Sequence, residues 1–132
     1  MTDEAGARWG FAEATILRAA GFTHLALLFV GLLSPRTIFA PWGLPLEEPA
    51  TFYRVSIVVL GVLGLALVRA ARRPVREGVL LVESAGLAMI AFFVVLVADA
   101  MAHRIAGRAP IVGVVDLLFG TAIFRIGRRR AG

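Results

Sequence analysis

Arg18, His24, Arg54, Glu83, Asp99, His103 and Asp116 are ionisable side chains within or at the edges of apolar stretches of this chain. A charge placed in hydrocarbon is costly unless a partner compensates it. Glu83, inside "LLVESAGLAMI", poses the question most sharply. Three kinds of chemistry suit such residues: ion pairs that fix helix register, a proton relay, or a polar pocket for an amphiphile. Enzyme chemistry is not indicated. The two histidines are far apart, and no HExxH or carboxylate–histidine metal spacing occurs. GxSxG, P-loop and GxGxxG motifs are absent as well. "GVLG" and "GVVDLLFG" read as packing glycines rather than phosphate cradles. No catalytic residue, metal site or cofactor is therefore assigned. A bis-histidine haem is disfavoured, while a single axial ligand stays open.

The elements that must position these residues are long apolar helices. Hydrophobic residues make up 59% of the 132, and the mean hydropathy is +0.85. Soluble domains have an apolar share of roughly 45–50%, so the composition is that of a membrane protein. Four continuous apolar runs cover 12–33, 51–70, 78–103 and 110–125. About 20 helical residues span a bilayer core. The first three runs are long enough; the fourth is short. Continuous rather than alternating apolarity favours helices over strands. The expected fold is all-α: one domain over 1–132, an integral membrane four-helix up-down bundle. No internal repeat is evident in the sequence.

Charge sets the expected topology. The net charge of +5 comes from fourteen arginines and no lysine. Arg69, Arg72, Arg73 and Arg76 crowd the second connection, and Arg125, Arg128, Arg129 and Arg130 the C-terminal end. The positive-inside rule then puts both termini and the second connection in the cytoplasm. The first ten residues lack the basic region of a secretory signal, so the first apolar run is expected to stay as a helix. Anionic lipid heads are natural partners for these arginines, and nucleic acid is not. Cysteine is absent, which excludes disulfides and leaves the redox compartment open. The proline-rich stretch 34–50 breaks the helix, with Phe39 and Trp42 suited to the interfacial belt.

Counting residues inward gives depth. Arg18 and Glu83 both fall roughly 8 Å inside the cytoplasmic end at ~1.5 Å per residue, so they are expected to pair in the bundle interior. Arg54 is expected to meet Asp116 nearer the outside, with Asp99 as a competitor. Asp99 and His103 are i,i+4 and suit a local pair. His24 falls near mid-membrane at about the height of Asp116, as a proton relay or a helix-to-helix hydrogen bond.

"LLFVGLLSPRTIFAPWGLP", "FYRVSIVVLGVLGLAL", "RAARRPVRE" and "VVDLLFG" together resemble the small four-helix bacterial membrane proteins grouped around DoxX-like and BphX-like families. The resemblance implies a membrane accessory, in some cases associated with redox enzymes. Arg54 stands where DoxX-like members commonly carry an acid. The expected function is a non-enzymatic accessory or scaffold subunit of the inner membrane. One alternative is a small proton-coupled transporter using Glu83, Arg18, His24 and Asp116. Another is a protein that binds a quinone or lipid for a redox partner. A membrane-protein partner or a second copy is the expected associate.

Overall fold

A computed structural model describes residues 7–44 and 51–132. The described residues are helical and contain no strand. Helix α1 runs Phe11–Leu33, the one-turn α2 Pro35–Phe39, and a 3-10 turn Ala40–Trp42. Helix α3 runs Thr51–Ala70 and α4 Val75–Met101. A second 3-10 turn, Ala109–Gly113, leads into α5, Val114–Ala131. Phe11–Leu33, Val75–Met101 and Ala109–Ala131 are each long and apolar enough to cross a membrane. Their outer faces carry large exposed apolar side chains such as Phe29, Leu80 and Leu118, a surface that water would disfavour.

Prolines and the left-handed residues Gly43 and His103 punctuate these helices. Pro35 ends α1 by restricting Ser34, which is extended. Pro74 precedes the first residue of α4. That helix stops where His103 takes φ 57°, the left-handed conformation usual just past a helix end. The sequence boundaries shift accordingly: α4 begins at Val75 rather than 78 and ends at Met101 rather than 103. The "RIGRRR" tail is helical, so the fourth helix runs beyond its short apolar segment. Arginines in a last turn suit the negative end of the helix dipole. Phe39 is buried against Ile57, Leu96 and Ala109 instead of sitting in an interfacial belt. Residues 45–50 of the proline-rich stretch lie outside the described residues.

The helices pack as two antiparallel hairpins, α1 with α3 and α4 with α5. Each hairpin is built on a pair of facing glycines. A Cβ at Gly21 would stand 2.6 Å from the Gly64 carbonyl oxygen, and one at Gly64 would stand 2.7 Å from that of Gly21. At Gly86 and Gly120 the same reciprocal approach recurs, at 2.8 and 2.9 Å. Small residues permit such backbone contact where lipid supplies no hydrophobic drive between helices.

The correspondence between hairpins extends along both helices. Counted from its glycine, Leu17 of α1 matches Val82 of α4, and Ala20 matches Ala85; all four are buried. Leu67 of α3 likewise matches Ile123 of α5, both fully buried. Ile57 packs on Gly31 in the first hairpin; in the second the same contact is reversed, with Leu96 packing on Gly113. The packing pattern of one hairpin therefore recurs in the other among the described residues, a repeat the sequence hides because burial and glycine placement recur while residue identity does not. Contacts of α3 with α4 and of α1 with α5 join the copies. Glu13 and Arg130 close the second seam at 2.7 Å, and the Gly10 N–H also donates to Glu13.

Candidate functional site

His24 belongs to the buried stripe of α1 that includes Leu17, Ala20 and Gly21. Gly64 faces it, where a Cβ would lie 2.9 Å from the His24 Cβ. That clearance lets the imidazole lie between α1 and α3 and reach α5. Its Nδ1 stands 2.7 Å from the Ala20 carbonyl oxygen, and its Nε2 stands 2.7 Å from Asp116 Oδ1. Asp116 sits in the first turn of α5, where the helix dipole favours an acid. The two residues are 0% and 4% exposed, the only charged or polar residues buried to this degree among those described.

The proton inventory of this pair follows from its acceptors. A carbonyl oxygen only accepts, so Nδ1 carries a hydrogen. Nε2 and Oδ1 then share one further proton. Either a neutral imidazole accepts from a protonated carboxyl, or an imidazolium donates to a carboxylate. Both forms are neutral overall, and both satisfy the buried atoms. Among the described residues no buried side-chain nitrogen or oxygen lacks a partner.

Asp116 also lines a cavity of about 140 Å³. Leu27 and Phe92 face this space, as do Leu60, Thr23 and Phe39. Leu27 and Phe92 occupy matching positions of the two hairpins, and so do Leu60 and Asp116. The cavity thus lies where the two copies meet. It is mostly apolar, with one ionisable end. At the positions matching His24 and Asp116 the other copy carries Met89 and Leu60, Met89 being fully buried. The equivalent positions therefore carry two apolar residues.

The remaining sequence-derived sites resolve differently. Arg18 is exposed and does not meet Glu83. Glu83 Oε1 instead stands 3.7 Å from Arg128 Nη1, its backbone packed over Gly127. Equal depth did not bring Arg18 and Glu83 together because they point to different sides of the packed helices. Arg54 is exposed and does not reach Asp116, whose partner is His24. Asp99 pairs with Arg104 at 3.2 Å rather than with Arg54 or His103. His103 is exposed and serves the turn after α4. The Glu13–Arg130 pair was not anticipated, and the pocket expected for an amphiphile was not placed beside Asp116. Glu13 could have been recognised as an acid in the first turn of α1 that accepts from Gly10. Among the described residues no three histidine, aspartate or glutamate side chains converge as a metal site. No protein-family model matches the chain, and neither does any curated protein or solved structure.

Proposed function

We propose that this is a multi-pass, four-helix protein of the cytoplasmic membrane, with both termini on the cytoplasmic side. In this reading it is not an enzyme. It holds the ring of a small amphiphile, of the quinone or quinol type, against the His24–Asp116 pair on behalf of a membrane-bound redox partner. One observation carries the reading: a buried, proton-sharing pair at one end of an apolar cavity, at a place where the matching half of the scaffold uses methionine and leucine. A pair needed only for packing would have no reason to differ from that apolar solution.

The cavity size suits one ring, since an apolar cavity of about 150 Å³ admits benzene. An isoprenoid tail would leave between the helices into lipid. The accessory role fits the short connections, which leave little mass outside the helices for independent activity. A proton-coupled carrier has weaker support. Buried apolar Ala20 and Ala85, with no polar side chain, lie between His24 and the level of Glu83. The test is saturable binding of a short-chain ubiquinone to the purified chain, followed by native mass spectrometry and tryptophan fluorescence. Binding should be lost in Leu27→Phe, which narrows the cavity. Absence of saturable binding to the wild-type chain would refute the proposal.

A further inference from the structure

The hairpin repeat exposes a second site, at the other end of the first copy. Glu83 lies three residues before Gly86, and Arg128 eight after Gly120; they form an acid–base pair. The matching positions of the first hairpin are Arg18, three before Gly21, and Arg72, eight after Gly64. Both line one open cavity of about 430 Å³. Where one copy supplies its own carboxylate, the other presents two arginines.

Arg8 and Arg73 join them in that cavity, and none of its lining residues is acidic. Arg73 is tethered to Glu77 at 3.1 Å. Arg8, Arg18 and Arg72 have no ion pair among the described residues. Arg18 stands about two turns inside a helix apolar enough to cross a membrane. A guanidinium at that level extends toward the interface and needs an anion there. Trp9 and Phe11 flank the site. The Trp9 indole N–H donates to the Ala70 carbonyl at 2.8 Å, which fixes the ring, while Phe11 is 90% exposed. A soluble anion gains nothing from an exposed phenyl ring, whereas a lipid offers both phosphate and acyl chain.

We propose that Arg8, Arg18 and Arg72 form a binding site for the headgroup of an anionic phospholipid, whose phosphate takes the place that the Glu83 carboxylate fills in the second hairpin. The site is separate from the cavity beside Asp116, and neither proposal depends on the other. Arginine forks suit phosphate oxygens through paired donors.

The test uses the full chain in detergent, with dioleoyl phosphatidylglycerol, dioleoyl phosphatidylcholine or inorganic phosphate added, read by thermal melting and native mass spectrometry. Phosphatidylglycerol should bind and raise the melting temperature; phosphatidylcholine and inorganic phosphate should not. Each arginine removed from the site should weaken binding about fivefold. Arg18→Gln with Arg72→Gln should therefore lose most of it, while Arg128→Gln with Arg129→Gln keeps it. Arg18→Glu recreates the acid–base arrangement of the second hairpin, so that variant should fold and melt independently of lipid. Undiminished phosphatidylglycerol binding in Arg18→Glu would overturn the proposal. Equal loss in the Arg128/Arg129 variant would also overturn it, by reducing the effect to general charge. An equal response to inorganic phosphate would exclude lipid as the source of the anion.

Discussion

His24 and Asp116, 92 residues apart, meet at 2.7 Å and share one proton between two hairpins whose described buried residues are otherwise apolar. Exchanging them for their counterparts gives the double variant His24→Met, Asp116→Leu. It should remain folded, with stability within about 1.5 kcal/mol of wild type, as for volume-conserving core swaps. It should bind no quinone. Asp116→Leu alone strips His24 of its partner and should cost about 1–3 kcal/mol in detergent unfolding. A double variant less stable than either single would show that the pair is required for packing.

Asp116→Asn separates the acid from its shape. The amide can donate to Nε2 of a neutral His24, so the fold should survive with a loss of about 1 kcal/mol or less. Ligand binding that depends on the shared proton should fall regardless. Equal affinity in Asp116→Asn and wild type, by fluorescence titration, would remove the carboxyl from the site.

The facing glycines set a steric expectation. Gly21→Ala and Gly120→Ala each drive a methyl group into the carbonyl of the opposing helix and should cost about 1–3 kcal/mol. Gly107→Ala meets no atom within 4 Å and should be neutral. Melting temperatures in one detergent suffice for the comparison.

The seam between α1 and α5 is half wet, so its ion pair should contribute little. Arg130→Gln and Glu13→Gln should each cost no more than about 1 kcal/mol, with the double change costing about the same as either single. A double-mutant cycle by chemical unfolding checks this.

How far the sequence could be read depends on what kind of geometry each feature needs. Apolar run length revealed α1, α3 and α4 because hydrocarbon leaves the backbone few choices. Residue counting put His24 and Asp116 at one height, and they do meet. The same counting matched Arg18 with Glu83, and they do not. Height along a helix follows from residue number, but direction around it depends on which face packs. The stripe Leu17, Ala20, Gly21, His24 defines that face on α1, and Arg18 lies off it. Glycine spacing carried the missing information. The repeat stayed hidden because matching positions hold Arg18 and Glu83, or His24 and Met89, whose resemblance is only in place.

The link from Glu13 to Arg130, together with the hydrogen bond from the Val75 N–H to the Ala7 carbonyl, gathers the start of the first hairpin, the end of the second and the turn between them at one edge. The order of the two hairpins along the polypeptide is therefore interchangeable. A permuted gene that opens the turn before Pro74 and splices the old ends together would keep every contact between helices, with the ionisable pair now reading Asp before His.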